Sequence, residues 1–424
     1  MKVTIRVEDL QSALGRTLPA AVKNSSLRVL SMVRIKAEED ALVLAANNLE
    51  LSVTVTLDKG VEVEETGAVC IPAHTLYDLV RELNGSADVT LATPPPPDPP
   101  QALVDDAIEN GTELEWEPPL PFRLLINSEA SEAYLDGLTD DEYPLPMTGA
   151  EELELYEWAK GSDFARQSNT VITSAASDES VIVLTQILFD FEQETPALAT
   201  ADGFRMACLG TPRKPEGNAR EVLLSASAVK AIMRSIDAKE PLTAALLYDE
   251  EDATQRHVRF ESGNAIIVCQ SMGAKFPPYP DFAPKTQLFG VTLNAEPFLR
   301  KLALANLFTG GTHVLRLTVR NGESPELAMN AVDDSLGTLN DSVPVTLEFY
   351  HDSDDAEEED SEPAPFQYGL NLVYFRDLLK SAVGASGESN VTLEFSDSGS
   401  PMTVKPADEA EFLGVCMPLS LLIQ

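Results

Sequence analysis

Three stretches of this chain carry apolar residues at i, i+3, i+4 and i+7. They are Leu76, Leu79, Val80 and Leu83 within Pro72–Leu83; Val229, Ile232, Met233 and Ile236 within Ser225–Ile236; and Phe375, Leu378, Leu379 and Ala382 within Asn371–Ala382. That spacing predicts three helices, each with one buried stripe. A short strand-like run precedes each helix (Ala68–Ile71, Glu221–Leu224, Gln367–Leu370), and another follows it (Val89–Leu91, Leu242–Leu247, Val391–Phe395). The three segments start 153 and 146 residues apart. A period of that size is a whole domain, so the chain reads as three copies of one module.

A second repeated pattern lies upstream of each helix. In the first copy it is Val33–Ala37, then Ala41–Ala45, a corner at Ala46-Asn47-Asn48, and the alternating run Leu51, Val53, Val55, Leu57. In the second it is Ile187–Phe191, Ala197–Ala199, a corner at Thr200-Ala201-Asp202-Gly203, and Phe204, Met206, Cys208. In the third it is Val314–Val319, Leu327–Met329 and a corner around Asn330–Asp333. Period-2 alternation predicts strands with one buried face, and Asn, Asp and Gly suit the corners. The fold class is therefore α+β, with modules at 1–148, 149–285 and 286–424.

Two segments interrupt this scheme. Residues 94–121 open with Pro94–Pro97 and close with Pro118-Pro119-Leu120-Pro121; a proline run cannot continue a sheet ladder, so it reads as an insertion in module one. Residues 352–362 hold eight acids in eleven positions, a self-repelling solvated linker inserted in module three.

Charge and cysteine usage narrow the picture. The chain carries 69 acids against 30 bases, a formal charge of −39. That balance argues against a protein that grips nucleic acid mainly by neutralising phosphates. Locally, though, a base recurs on the exposed face of the repeated helix. Arg81, Arg234 and Lys380 stand at i+5, and Tyr77, Lys230 and Arg376 at i+1, with Asp78, Glu82 and Asp377 on the same faces. Four widely separated cysteines (Cys70, Cys208, Cys269, Cys416) in apolar runs read as buried free thiols of a reducing compartment. The N-terminus, Met1-Lys2-Val3-Thr4-Ile5-Arg6, alternates like a strand and lacks a signal-peptide core, and no apolar run is long enough to span a bilayer. The expectation is a cytoplasmic protein.

Catalytic signatures are sparse. His74, His257, His313 and His351 are far apart, with no zinc-type pairing. Gly310-Gly311 is followed by Thr312-His313 rather than by a phosphate-binding lysine. Asp202-Gly203-Phe204 spells the kinase metal-binding tripeptide, but none of its companion motifs is present, so a turn is the better reading. We expect no enzyme activity, no cofactor and no metal.

Four stretches then carry a resemblance. Ser25-Ser26-Leu27-Arg28-Val29-Leu30-Ser31 resembles R-x-T-L-P-I-L-S of the bacterial β sliding clamps, the processivity factors of replicative DNA polymerase. Thr200 to Ala207 resembles A-T-D-G-H-R-L-A, Phe276 to Lys285 resembles F-P-D-Y-x-x-V-x-P-K, and Val415 to Leu421 resembles V-V-M-P-M-R-L. All four occur in the family's order, and with the triple repeat they span the chain apart from its insertions.

The resemblance implies a head-to-tail dimeric ring, with helices lining the hole and antiparallel sheets outside. Such a ring would encircle duplex DNA without sequence specificity and tether the polymerase. Its DNA-facing candidates are Lys23, Asn24, Arg81, Lys230, Arg234, Arg376 and Lys380. The family's pocket, which receives short hydrophobic peptides from polymerase and clamp loader, maps to Leu184, Ala201, Gly203, Phe204, Arg205, Met206, Pro277, Phe282, Val415, Met417 and Pro418. The dimer contact maps to Phe122 and Leu124 of one subunit against Leu307 and Phe308 of the other. The chain departs from the family at Phe204, where a histidine is usual, at Asp281 and Asn24, where arginines are frequent, and in a tail three residues longer, through Leu422, Ile423 and Gln424. Two other readings stay open: a clamp-fold paralogue serving as an acidic interaction scaffold without DNA tethering, and a metal-dependent nuclease or phosphatase on unrelated α+β domains. The first requires a bore without positive potential, the second a cleft of clustered buried acids.

Overall fold

The computed structural model describes residues 1–94, 122–129, 131–141, 143–144, 151–192, 194–248, 256–350 and 366–420. The proline-rich insertion beyond Pro94, the acidic insertion 352–362 and the tail residues Leu422, Ile423 and Gln424 lie outside the described residues.

Each helix follows a strand at once or within two residues. Lys2–Arg6 leads into α1 (Val7–Thr17), Gly67–Pro72 into α2 (Ala73–Arg81), and Glu151–Trp158 into α3 (Gly161–Ile172). Glu221–Ser225 leads into α4 (Ala226–Ser235), Phe289–Asn294 into α5 (Ala295–Ala305), and Phe366–Asn371 into α6 (Leu372–Ser386). Helices α2, α4 and α6 are those that the apolar spacing predicts, and Leu76, Val80, Val229, Ile232, Phe375, Leu378, Leu379 and Ala382 are all buried. Helices α1, α3 and α5 are additional. Their inward faces include small or hydroxylated residues (Ala13 and Thr17; Ser168; Ala295 and Ala305), which blurs the apolar period. Among the described residues, each sequence repeat thus holds two strand–helix pairs.

The chain divides into two compact units, Met1–Gly161 with Lys230–Gln270, and Ser162–Val229 with Ser271–Gln424. The first contains a five-stranded sheet in the order Val61–Glu65, Lys2–Arg6, Asp88–Ala92, Phe122–Ser128, Ser131–Gly137. It also contains an eight-stranded sheet in the order Glu151–Trp158, Leu242–Tyr248, Arg256–Ser262, Ala265–Ser271, Leu51–Leu57, Leu42–Asn47, Met32–Ala37, Gly67–Pro72. Helices α1 and α2 pack on each other. The Arg16 guanidinium, at the end of α1, donates to the Ser235 carbonyl at 2.7 Å and the Asn264 amide oxygen at 2.6 Å.

The second unit contains a nine-stranded sheet in the order Glu221–Ser225, Gln186–Asp190, Ala197–Ala201, Arg205–Leu209, Phe412–Cys416, Met402–Pro406, Asn390–Phe395, Phe289–Asn294, Thr346–Phe349. Its four-stranded sheet runs Gly337–Pro344, Glu326–Asp333, Val314–Arg320, Phe366–Asn371. Here α5 packs on α6 with Phe298 edge-on to Phe375 at 5.9 Å, the offset geometry that aromatic quadrupoles favour.

The two larger sheets are each sewn from two repeats in the same way. The strand after the corner in one repeat pairs antiparallel with the last strand of the next. Leu51–Leu57 pairs with Ala265–Ser271, Val55 opposite Ala265 and Leu51 opposite Cys269. Arg205–Leu209 pairs with Phe412–Cys416, Arg205 opposite Cys416 and Leu209 opposite Phe412. The third strand of the post-corner kind, Gly337–Pro344, and the remaining last strand, Ser131–Gly137, are each terminal in their sheets among the described residues.

All three corners use one device. The Asn48 side-chain oxygen accepts from the Glu50 and Leu51 amides, the Asp202 carboxylate from those of Phe204 and Arg205, and the Asp333 carboxylate from those of Ser335 and Leu336. An Asx side chain that folds back in this way stands in for a backbone turn. The third corner is shifted from its expected place: the strand Glu326–Asp333 continues through Asn330, and the turn comes after Asp333. Phe204 is likewise a corner residue rather than part of the strand, which starts at Arg205.

Gly137 closes the first unit's outer strand against Cys70; a Cβ there would meet the Cys70 carbonyl oxygen and the Ile71 side chain well inside contact distance. Gly137→Ala should therefore lower stability by about 1–3 kcal/mol, as overpacking of a fitted contact does. Denaturant unfolding monitors this, and an unchanged midpoint would mean that the strand yields freely.

Candidate functional site

The second-repeat corner stands over one rung of the nine-stranded sheet. Ala201 is opposite Met206, and Met206 is opposite Val415. These three are buried in a cluster with Leu188, Cys208, Phe276 and Tyr279, and Leu184 packs on it from the turn Glu179–Thr185. Four of the predicted pocket residues, Leu184, Ala201, Met206 and Val415, are thus gathered in a single apolar floor. Pro277 and Phe282 flank cluster members: Pro277 follows Phe276, and Phe282 precedes Ala283.

Around that floor, apolar side chains face outward. Phe204 is 58% exposed, Met417 41% and Phe282 38%. The Met417 amide donates to the Phe204 carbonyl at 2.9 Å, which ties the C-terminal segment to the corner. Gly203 has φ +88° and open space where a Cβ would be, so a left-handed turn brings Phe204 out of the sheet. Pro418 is half-buried beside Met417.

Arg205 fastens the corner to α6. Its guanidinium donates to Asp202 and to Asp377, each at 3.0 Å, and lies 4.5 Å over the Tyr374 ring. Phe204 stacks on the same ring with centroids 6.2 Å apart. Asp281 pairs with Lys214 at 2.8 Å.

The predicted basic positions divide into free and engaged cations. Lys23, Lys230, Arg234 and Lys380 are exposed, as is the neutral Asn24. Arg81 is exposed but pairs with Asp78 at 3.5 Å and Glu82 at 3.3 Å. Arg376 is half-buried, 3.7 Å from Asp377. Among the described residues, no group of three or more His, Cys, Asp or Glu side chains could hold a metal ion, and no helix is long and apolar enough to cross a membrane.

Comparison with known proteins decides the family. The models for the N-terminal and central domains of the DNA polymerase III beta subunit match residues 1–96 and 160–278, together just over half the chain. The beta sliding clamp of Staphylococcus epidermidis is 22% identical over 99% of both chains. The chain belongs to the bacterial β sliding clamp family. A Pseudomonas aeruginosa clamp crystallised with griselimycin is similar in structure, with a TM-score of 0.79 at 19% identity, covering 99% of this chain and all of that one. The Bacillus subtilis clamp is similar too, with a TM-score of 0.79 at 16% identity over 99% of each. Likenesses of that kind establish the clamp fold along the whole chain.

The residues expected at a dimer contact fare unevenly. Phe122 and Leu307 present exposed surface, and Phe308 is half-buried. Leu124, however, is fully buried in its own unit, because its strand lies one place in from the sheet edge. Its side chain is core and has no surface to offer a partner, whereas Tyr134, on the edge strand itself, is 53% exposed. Sequence patterning also missed Tyr374 and the exposed Val181 and Ile182 beside Leu184. Tyr374 sits just before Phe375, the first apolar position of a predicted helix, which gives no hint that it reaches a corner far away in the chain.

All four cysteines are free and buried. Burial pushes Cys70, Cys208 and Cys416 up to about 12 from an ordinary 9.0, and Cys269 rises for the same reason. None should react with a thiol reagent in the native protein at about pH 8, and all four should react after unfolding. Because the folded thiols hold their protons more tightly, their contribution is complete below about pH 9 and lost as pH rises toward 12; guanidinium midpoints should fall across that window. For the corner, Arg205→Ala leaves two carboxylates facing each other and should cost about 3 kcal/mol, read as lost amide protection at 202–206.

Proposed function

We propose that this chain is a non-enzymatic sliding clamp: a homodimeric ring that encircles duplex DNA and tethers the replicative polymerase. The observation that carries the reading is the sheet sewing. Two junctions join a post-corner strand to the last strand of the next repeat, and among the described residues one strand of each kind is left at an open edge, Gly337–Pro344 and Ser131–Gly137. An open edge presents unpaired N–H and C=O groups that invite another strand. One chain cannot use its own pair of edges twice, but two copies arranged head to tail would close both seams by the same rule. On this reading the three modules, 1–148, 149–285 and 286–424, become six around the ring.

Exposed apolar residues stand where such seams would form. Tyr134 lies on the first edge strand and Phe122 on its neighbour. Leu307 lies in the turn Asn306–Phe308, which packs against Glu326–Asp333 and Gly337–Pro344. We assign these residues, with Phe308, to the dimer contact.

The floor of Leu184, Ala201, Met206 and Val415, rimmed by Phe204, Phe282 and Met417, is the candidate receptor for short hydrophobic peptides of the polymerase and clamp loader. Apolar anchors seated in a desolvated pocket supply most of the affinity in such contacts. Gly203, Arg205, Pro277 and Pro418 shape its walls. Lys23, Asn24, Arg81, Lys230, Arg234, Arg376 and Lys380 are assigned to the DNA side. A ring held by closure needs little phosphate affinity, which accommodates a charge of −39. The protein works in the cytoplasm, without a membrane partner.

Loaded on singly nicked circular DNA at moderate salt, the protein should persist, and it should run off the same DNA once linearised; equal loss from both forms would overturn the clamp reading. Leu307→Asp places a charge in the proposed seam, away from the core. It should shift the mass in solution from two chains to one and abolish retention on circles, while thermal unfolding of the single chain stays close to wild type.

A further inference from the structure

The two strands that bring Leu188 and Leu223 to the apolar floor, Gln186–Asp190 and Glu221–Ser225, meet at a pair of acids. Asp190 stands directly opposite Glu221, and both side chains are almost wholly buried, 3% and 5% exposed. Like charges placed so oppose strand pairing, and a buried charge without a partner costs more still. Arg213 resolves the conflict. Its guanidinium forks onto both Asp190 carboxylate oxygens, at 2.9 and 2.8 Å, and donates to Glu221 at 3.4 Å. Glu221 also accepts from the Glu216 and Gly217 amides, at 2.8 and 2.6 Å. Segment 211–220 is thereby latched to the sheet at two places.

The latched segment in turn holds the turn that carries Phe282. The Arg213 amide donates to the Tyr279 hydroxyl oxygen at 3.1 Å, and the Lys214 ammonium pairs with Asp281 at 2.8 Å. Tyr279 is a fully buried member of the floor cluster, edge-on to Phe276 at 6.2 Å. The local sequence makes these holds matter. Pro277, Pro278 and Pro280 have no N–H to give, and among the described residues no strand pairs with this turn. The Tyr279 and Asp281 amides bond only within it, to the Pro277 and Pro278 carbonyls. Side chains therefore decide where this stiff turn sits. The Lys214–Asp281 pair is exposed and contributes little, so the Arg213 arm dominates.

We propose that Arg213 is a positioning residue of the peptide receptor. Its guanidinium neutralises the opposed carboxylates, its amide holds Tyr279, and through Tyr279 it fixes Phe282 at the rim. This role rests on the receptor reading above and adds to it a control point outside the apolar lining. Peptide affinity then depends on a charged latch that no peptide side chain needs to touch.

The test is binding of a fluorescein-labelled synthetic peptide ending in leucine and phenylalanine, followed by anisotropy, with thermal unfolding measured alongside. Tyr279→Phe removes only the acceptor of the Arg213 amide and should weaken binding about tenfold, the scale of one hydrogen bond. Arg213→Ala should weaken it at least as much and also lower the unfolding midpoint. Arg213→Lys keeps a cation between the carboxylates and should recover most of both. The double variant Arg213→Ala/Asp190→Asn separates positioning from plain stability. With the opposed charges relieved, its midpoint should return toward wild type while its affinity stays low. Recovery of both together, or wild-type affinity in Arg213→Ala and Tyr279→Phe, overturns the role of Arg213. Phe204→Asp, on the exposed rim, checks the receptor itself. No binding by the wild type, or binding that survives Phe204→Asp, overturns the receptor reading and the role of Arg213 with it. Binding lost in Phe204→Asp but kept in the Arg213 and Tyr279 variants removes the positioning role alone.

Discussion

The structure depends on what happens to strand edges at the ends of each repeat. A single module cannot bury both edges of its sheets, and an unpaired edge in water invites aggregation. The chain meets this constraint by pairing the strand after one corner with the last strand of the next repeat, as in Leu51–Leu57 with Ala265–Ser271 and Arg205–Leu209 with Phe412–Cys416. This also explains why the chain separates into two compact units although its sequence repeats three times. The middle repeat is divided between two composite sheets, and each half belongs to a different unit. Among the described residues the same constraint is left unmet at Ser131–Gly137 and Gly337–Pro344, the two edges that the proposed ring would close.

The sewing of the second junction also builds the apolar floor. Met206 and Val415 meet because their strands pair, and the Met417 amide reaches the Phe204 carbonyl one step beyond that pairing. The corner's Asp202 folds the backbone and orients Arg205, whose other bond, to Asp377, reaches α6. A structural turn, a pocket rim and a helix contact are thus one hydrogen-bonded group. Phe204 stacks on Tyr374, so the exposed side of this rim is apolar and aromatic.

Much of this was legible in the residues, and the rest was not, for physical reasons. Helices α2, α4 and α6 announced themselves because large apolar side chains repeat at helical spacing; α1, α3 and α5 did not, because Ala13, Ser168 and Ala305 are buried yet small or polar. The corner after Asp333 was misplaced by a few residues, since Asn330 is as good a turn former as Asp333, and only the strand pairing of Asn330 with Asn340 distinguishes them. Family motifs located the floor residues Ala201, Met206 and Val415. They could not indicate that Leu124 is core while Tyr134 is free, because that depends on which strand is outermost. The contacts of Tyr374 and of Arg213 join distant segments, for which one sequence carries no period and no motif.

The central claim, that two open edges close against a second copy, is most directly tested by amide hydrogen exchange as a function of protein concentration. Protection in 131–137 and 337–344 should rise together as dimer forms, while 51–57 and 265–271, already paired within the chain, stay protected throughout. Dimers whose two edge strands still exchange freely would contradict it.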